Sequence, residues 1–360
     1  MMNKSKYLEI DGAFGEGGGS ILRLSAGFSV LFNQPVRIKN IRANRPKPGL
    51  RLQHLIGLQT LANLTGSELK ALDGECHIGT QELIFKPNLN ILDKIKINVN
   101  TAANIGLLLQ PIQIACLNFM KTPKIEIFIN GGGTFGKWAP SLNYLMNVTY
   151  QILKKSGLSI SIDIKKYGFY PKGGALTKCT IYPPKTTLKP LNLKELGAID
   201  LIEGEIILSN QLKQSGRNIG ERIKRSINLE LKSHLKIESE IKHEYVDAIS
   251  PGVGLCLWAR SNTGAIISSG TILGERNITS EKIGKIASKE ILRYIKNDIP
   301  VDNYLSDQLI PLIAFNKEPS SLRVLEITNH TKTNLELVNL FIHRNYEIIK
   351  EKNSYLIELN

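Results

Sequence analysis

Two rhythms of apolar and polar residues run along this chain, one helical and one alternating, and they follow each other in a recurring order. Ile21, Leu24, Ser25, Phe28, Leu31 and Phe32 recur at helical spacing and predict a helix from about Gly18 to Phe32. A strand over Val36–Arg42 follows. A helix over Leu50–Leu64 comes next, with Leu52, Leu55, Leu58 and Ala62 on one face. Strands near Glu68–Leu72 and Glu82–Lys86 close this first unit. The same order returns as a helix near Ile105–Phe119, a strand over Lys124–Asn130, a helix near Leu142–Ser156, and strands near Ser159–Lys165 and Leu176–Tyr182. A third copy begins late. It has a helix near Leu305–Phe315, a strand near Leu322–Thr328, a helix near Asn334–Arg344, and a hairpin at Tyr346–Leu359 in which Tyr355, Ile357 and Leu359 alternate. Three copies of one order predict an α/β (α+β) fold with a large pseudo-symmetric domain.

Between the second and third copies lies extra sequence, opened by Pro183, Pro184 and Pro190. It reads as a strand near Ile202–Leu208, a basic helix near Gly220–Leu235, and strands near Lys236–Val246, Leu255–Arg260 and Ala265–Ser269. We place a small inserted α/β domain at 186–276 and the large domain at 1–185 and 277–360. The helix Glu281–Ile295, with Thr279 and Ser280 as caps, is read as returning the chain to the large domain.

Composition narrows the setting. The chain has 360 residues, of which 42% are hydrophobic, enough for a sizeable core. No apolar run is long enough to span a membrane, and MMNKSKYLEIDG carries no apolar leader. Cys76, Cys116, Cys179 and Cys256 are scattered without a CxxC pair, which predicts a reducing, cytoplasmic setting and no zinc module. The formal net charge of +14, spread along the chain, favours a polyanionic partner such as nucleic acid or a polyphosphate.

The stretch DGAFGEGGGSILR, from Asp11 to Arg23, puts glycines directly before the first helix. Such a turn leaves backbone N–H groups free at the helix N-terminus, where they favour anions. Arg23 lies in the first turns of that helix, and Arg42, Arg45, Lys47 and Arg51 follow closely. Together they predict a phosphate-handling site. The spacing is not that of a dinucleotide fingerprint, nor does a Lys-Ser or Lys-Thr pair follow the glycines. GGGTFGKW, from Gly131 to Trp138, has phosphate-loop spacing, but Trp138 replaces the hydroxyl that would hold magnesium. We read it as a glycine-rich turn after a strand.

His54 follows the arginine cluster. His77 adjoins Cys76 without further ligands at metal spacing. His234 and His243 lie in charged sequence, and His343 ends a helix. His330 stands apart, in ITNHTKTN between a predicted strand and a predicted helix, where α/β proteins place active groups. In YLSDQL, Tyr304, Asp307 and Gln308 present an aromatic, a carboxylate and an amide on one turn, a set suited to a nucleobase and ribose. Asp307 is equally suited to capping the helix. Gln110 in LLLQPIQIA needs a hydrogen-bond partner if buried, from backbone or ligand.

Seven segments carry a resemblance: DGAFGEGGGSILR, IRANRPKPGLRLQHL, HIGTQELIF, GLLLQPI, GFYPKGGA, YLSDQLIPL and NHTKTN. In this order, with the insert in place, the chain resembles the RNA 3′-terminal phosphate cyclase family along nearly its whole length. The resemblance implies a large domain of three units, each like the C-terminal domain of bacterial initiation factor three, with a small inserted α/β domain. It implies ATP and a divalent metal (magnesium or manganese) as cofactors and RNA with a 3′-terminal phosphate as partner. The implied reaction converts that phosphate to a 2′,3′-cyclic phosphodiester through a covalent histidine–AMP and then an RNA–adenylate, releasing AMP and pyrophosphate. Carried over by motif, His330 is the nucleophile and Glu16 holds the metal. Arg23, Arg42, Arg45 and Gln53 bind phosphates, and Gln110 with Tyr304, Leu305, Ser306, Asp307 and Gln308 binds ATP.

Some positions depart from the family pattern. Ser20 stands where many members have glutamine. Leu52 stands where some have arginine, with Arg51 one position earlier, and NKEPSS lacks the usual glycines. The alternative reading is a catalytically inactive cyclase-like factor in rRNA processing, which would lack the histidine. An enolpyruvyl transferase, sharing the repeated unit, is a third. Sequence leaves self-association into a homo-oligomer open.

Overall fold

The computed structural model describes residues 7–213 and 216–360, so part of the N-terminal stretch read above for a leader lies outside them. The first helix, α1 (Gly19–Phe32), is buried on nearly every side from Ser20 to Val30. Its sequence is apolar almost all round, and such a helix is stable only inside a core. Each fully enclosed side chain along it, such as Ile21, Leu22, Leu24 and Phe28, contributes roughly 1.5–3 kcal/mol by leaving water. Gly27 lets a neighbour come close: a Cβ there would lie 2.9 Å from Ile114 Cβ and from the Pro111 carbonyl oxygen, on α3 (Ile105–Ala115).

Around α1 sit three four-stranded sheets with one shared pairing pattern. In the first, β1 (Leu8–Asp11) runs parallel to β2 (Val36–Lys39). β2 then pairs antiparallel with β4 (Leu83–Lys86), whose outer neighbour is β3 (Glu68–Ala71). The second sheet repeats this with β5 (Lys94–Asn104), β6 (Ile125–Gly133), β8 (Leu176–Tyr182) and β7 (Ser159–Lys166). The third repeats it with β9 (Asn192–Leu193), β15 (Ser320–Val324), β17 (Tyr355–Leu359) and β16 (Tyr346–Lys350). The mixed α/β class expected from the sequence is what the chain adopts. The leading strand of each sheet, β1, β5 and β9, is absent from the sequence reading. The third unit also opens before the extra segment, at β9, so that segment interrupts the unit rather than preceding it.

The extra segment builds its own sheet. β10 (Ile199–Ser209) lies between parallel β11 (Ser239–Val246) and antiparallel β12 (Val253–Ser261). β13 (Ile266–Ser268) and β14 (Ile272–Leu273) both pair with β12. Helix α5 (Ile219–Lys232) covers it with α6 (Ser280–Lys296), and Ile223, Ile227, Ile283, Ala287 and Ile291 form a second core. This corrects the reading of the helix at 281–295. It packs on α5 and the inserted sheet instead of returning the chain to the larger body. Its cap is as expected, with Thr279 Oγ1 accepting from Lys282 N at 3.2 Å. On α5, Arg222 is committed to a two-pronged pair with Glu281 at 2.8 and 2.9 Å, and the other basic groups form a solvated face.

The helix at 142–156, α4, contains a π turn at Leu145–Thr149. Gln113 Nε2 donates to Tyr150 Oη at 2.6 Å, tying α3 to α4. Phe28 and Phe32 of α1 meet Phe315 edge-on, at 5.1 and 4.9 Å between ring centres. Phe341 of α8 (Asn329–Ile342) lies 5.2 Å from Phe28, which fastens the end of the chain to its beginning. Among the described residues no helix is long and apolar enough to cross a membrane.

Asp302 is the joint between bodies. It is fully buried and caps α7 (Asn303–Ile313), accepting from Tyr304 N at 3.0 Å and Leu305 N at 2.9 Å. It also accepts from Tyr144 Oη of α4 at 2.9 Å and from Ser268 N of β13 at 3.0 Å. Burial pushes its carboxyl up to about 7, opposed by these four donors. Asp302→Ala removes a cap and strands two buried donors. It is expected to cost on the order of 2–4 kcal/mol, read as a lowered denaturation midpoint in urea; an unchanged midpoint would contradict this role.

Candidate active site

The glycine-rich loop leaves β1, passes Gly15 and Gly17 at positive φ, and enters α1 at Gly19. Each glycine does a local job. A Cβ at Gly15 would overlap Thr333 in the first turns of α8, and a Cβ at Gly19 would overlap the His54 ring. The loop can therefore lie flat between the two ends of the chain. No side chain caps α1 and no acidic residue sits in its first turn, so its free N–H groups face a cavity bordered by Gly18, Gly19 and Ser20.

That cavity holds about 1040 Å³ and gathers Glu16, Arg23, Arg42, Arg45, Gln53 and His330. Six residues scattered through the sequence thus share one wall. Arg23 is buried, and its Nε donates to Gln110 Oε1 at 2.8 Å. Gln110 therefore lies one layer behind the cavity and aims the guanidinium. Burial pulls Arg23 down to about 10, which still leaves it charged at neutral pH. Arg45 Nη2 donates to the Glu16 carbonyl at 3.0 Å. Arg42 is held at φ 54° with its Nε buried and without a hydrogen-bond partner among the described residues. None of Arg23, Arg42, Arg45 and Arg51 has a carboxylate partner among the described residues. Converging cations without carboxylate partners raise a positive potential that favours an anionic ligand.

His54 is the site residue that sequence reading noticed without assigning. It is buried at the start of α2 (Leu52–Thr65), and its Nδ1 accepts from Arg51 N at 3.2 Å. The ring proton therefore sits on Nε2. Burial, then the charges of Arg23, Arg42 and Arg51, hold His54 down to about 3. It is a neutral donor at every ordinary pH. The Gln53 amide approaches Nε2 only to 3.5 Å, and two donors facing each other make no bond.

His330 lies in the first turn of α8, not in a turn before it as the sequence suggested. Thr328 caps this helix, its Oγ1 accepting from Thr331 N at 2.9 Å, so the helix begins at Asn329. The Thr328 and Thr331 hydroxyls both lie 2.9 Å from Asp307 Oδ1. Asp307 thereby fixes the turn that carries His330, and burial pushes its carboxyl up to about 7. His330 Nδ1 stands 3.0 Å from Glu16 Oε2. Burial lowers the His330 pKa below its usual 6.5; Glu16 opposes this, and Arg23 and Arg45 reinforce it. The ring is then neutral at pH 7. The Glu16 contact assigns its proton to Nδ1 and leaves a lone pair on Nε2.

The run Tyr304–Gln308 lies outside this cavity wall. Tyr304 is half exposed, packing over Gly270 and edge-on to Tyr144 at 6.2 Å. Leu305 and Ser306 are enclosed in the core, where their side chains pack, and Gln308 is half-buried. The facing wall comes from Phe135–Ala139, Phe169, Tyr170, Pro251–Val253 and Leu273–Glu275. Sequence reading singled out GGGTFGKW and GFYPKGGA there but gave neither a role. The three glycines of the former finish β6 instead of forming a phosphate loop, and Lys137 is paired with Glu275 at 3.0 Å. Among the described residues no group of three or more His, Cys, Asp or Glu side chains could by itself hold a metal.

Comparison with known proteins supplies the family. A family model described as RNA 3′-terminal phosphate cyclase matches residues 14–348. The chain is similar to an RNA 3′-terminal phosphate cyclase of Pyrococcus abyssi, 37% identical over 341 residues and 95% of each chain. It is also similar to those of Methanosarcina barkeri (36% over 353 residues, 98% of this chain and 100% of the relative) and Methanopyrus kandleri (32% over 346 residues, 95% of each). With the family model spanning nearly all of it and such relatives matched end to end, this chain belongs to the RNA 3′-terminal phosphate cyclase family of enzymes.

Proposed function

We propose that this enzyme cyclises the 3′-terminal phosphate of RNA at the expense of ATP, with His330 as the nucleophile. The observation that carries the reading is the Glu16–His330 contact of 3.0 Å at the edge of an arginine-lined cavity. Neutral His330 Nε2 attacks the α-phosphorus of ATP, pyrophosphate leaves, and AMP is held on the ring. The RNA 3′-phosphate displaces the histidine and takes the AMP. The 2′-hydroxyl then attacks the 3′-phosphorus, AMP leaves, and the ring of the 2′,3′-phosphodiester closes. A phosphate monoester oxygen leaves poorly, and adenylation converts it to a good leaving group.

Every step gathers negative charge on phosphoryl oxygens. The N–H groups of α1, Arg23, Arg42, Arg45, Gln53 and the Nε2–H of His54 are fixed donors for that charge. The exposed parts of Tyr304 and Gln308, beside the Asp307 that anchors the His330 turn, are suited to the adenosine of ATP. Glu16 offers one carboxylate, and the described residues include no closed ligand set. This fits a hard divalent ion, magnesium or manganese, that keeps water and phosphate oxygens as its other ligands. Such an ion would neutralise charge on the transferring phosphoryl group. Four unpaired thiols suit the reducing cytoplasm.

Incubation with α-labelled ATP tests the reading. Wild type is expected to form an acid-labile protein adduct, and His330→Ala to form none. An adduct unaffected by His330→Ala would refute the nucleophile, and no adduct on wild type would favour a non-catalytic binding factor.

Arg42→Ala separates function from folding. It removes a buried donor that has no partner, so thermal stability is expected to hold or rise. The KM for 3′-phosphorylated RNA should climb roughly ten- to hundredfold, the equivalent of about 1.5–3 kcal/mol for a charged hydrogen bond. Unchanged RNA kinetics would remove Arg42 from the phosphate site.

Adenylation needs the unprotonated ring. Because the folded pKa of His330 lies below 6.5, lowering pH through that depressed pKa should extinguish adduct formation, and raising it above 6.5 should leave the rate flat. A limb centred above 6.5 in the pH–rate profile would contradict the electrostatics described.

A further inference from the structure

We propose that Trp138 and Tyr170 form a stacking platform for the unpaired nucleotides next to the RNA 3′ end, an inference that rests on the cyclase reading above. Both rings belong to the wall facing the arginines, and both line the same cavity as His330. Trp138 is 91% exposed and Tyr170 81% exposed. A single exposed apolar side chain is ordinary, but two large rings this open on one cavity mark a binding surface. Two of them at the mouth of a cationic cavity call for a flat, amphipathic occupant.

The backbone holds Trp138 in place at a cost. Its φ is 57°, in the left-handed region that bulky residues rarely occupy. The loop is pinned on both sides by the Gly136–Ala139 bridge, and neighbouring Lys137 is drawn to Glu275 at 3.0 Å. Lys137 Nζ also lies 5.2 Å from the centre of the Trp138 ring. On the second loop, Tyr170 is followed by exposed Lys172, whose N–H donates to Ser250 Oγ at 3.1 Å. Lys137 thus directly precedes Trp138, and Lys172 lies two residues after Tyr170.

Aromatic faces flanked by cations are the recognition chemistry of single-stranded nucleic acid. Bases stack on the rings whatever their identity, while exposed Lys172 attends the backbone phosphates. A base-paired end keeps its bases stacked on each other and cannot use such a platform. The inference therefore assigns to this wall a preference for frayed or single-stranded 3′ ends, and it places the terminal phosphate opposite, among Arg23, Arg42 and Arg45. The net charge of +14 favours the same polyanion over a protein partner.

The test uses the full chain and a short single-stranded RNA bearing a 3′-phosphate, with the same end in a blunt duplex as comparison. Of the two tryptophans, Trp258 is buried with its Nε1 donating to Glu203 at 2.8 Å, so a change in tryptophan emission on RNA binding reports Trp138. Without ATP, the single strand is expected to quench that emission. Trp138→Gly, which relieves the backbone strain and so should fold as well as wild type, and Tyr170→Ala should each raise KM for the single strand roughly five- to hundredfold. Trp138→Phe should restore most of it, and the preference for single strand over duplex should shrink in Trp138→Gly. The inference is overturned if saturating RNA leaves the emission unchanged, if both variants keep the wild-type KM, or if Trp138→Gly raises KM for ATP and not for RNA. Failure of wild type to form an adduct with ATP would instead refute the cyclase reading, and the emission titration would still decide the platform.

Discussion

The contact between Glu16 and His330 joins the opening loop of the chain to its last helix, and the rest of the site depends on it. For these two groups to lie 3.0 Å apart, α1 and α8 must pack side by side across the first and third units. The rings of Phe28, Phe32, Phe315 and Phe341 enforce that packing at the opposite end of the helices. Asp302 adds a second constraint, linking α7 to α4 and to β13. A buried carboxylate accepting from three elements leaves α7 little freedom to shift. Asp307, one turn along α7, inherits that rigidity and passes it to the turn bearing His330 through two threonine hydroxyls. The position of one imidazole is thus set by hydrophobic and polar contacts that share no atom with the reaction.

The electrostatics of the cavity run against folding and toward ligand. Among the described residues several arginines converge without a carboxylate to neutralise them, and Arg42 Nε has no partner. A single unpaired buried donor costs on the order of 1–3 kcal/mol, so such an arrangement is tolerable only in a fold with a large apolar core to offset it. The same field sorts the histidines. His54, nearest the arginines and deeply buried, cannot take a proton. His330, with Glu16 in contact, is lowered less severely but still favours the neutral ring. One ring becomes a fixed donor and the other keeps a free lone pair, the form that the proposed reaction needs, a division made by environment and not by residue type.

Much of this was legible in the sequence, and the losses have physical causes. Helices α1 to α5 and the closing hairpins of each unit show in the hydrophobic rhythm because their burial is one-sided or complete over many residues. β9 is too short, at two residues, to display alternation, and β1 buries only Ile10, so it shows a single inward position. β5 is longer and does alternate through Ile95, Ile97 and Val99, but its other face is polar and exposed, and the sequence reading assigned it no element. The start of α8 was placed too late because the apolar pattern begins at Leu335, while the capping threonine that begins the helix is polar. For α6, the sequence shows an apolar stripe but not the partner that covers it. In the site, motif resemblance brought out Glu16, Arg23, Arg42, Arg45, Gln53 and His330, which the fold gathers in one cavity. Position within a motif could not separate Leu305 and Ser306, facing inward, from their neighbours on the same helix. The roles of Trp138 and Tyr170 depend on exposure, which no spacing rule reports.

The interrupted third unit explains why the cavity has two unlike walls. Had β9 run directly into α7, the wall facing the arginines would lack Pro251–Val253 and Leu273–Glu275. The inserted sheet returns through Pro251–Val253 and Leu273–Glu275, opposite the glycine loop, and meets the β6–α4 loop there. Phe135 and Phe169 of the second unit stack at 5.5 Å beneath this junction, and a Cβ at Gly252 or Gly254 would strike one of them. The two bodies therefore approach through glycines, as closely as backbone allows, and the facing wall is held as firmly as the arginine wall. A charged wall made by one part of the repeat and an aromatic wall made where the insert docks give the cavity different chemistries on its two sides. That asymmetry suits a ligand with a highly charged end and a flat, uncharged remainder.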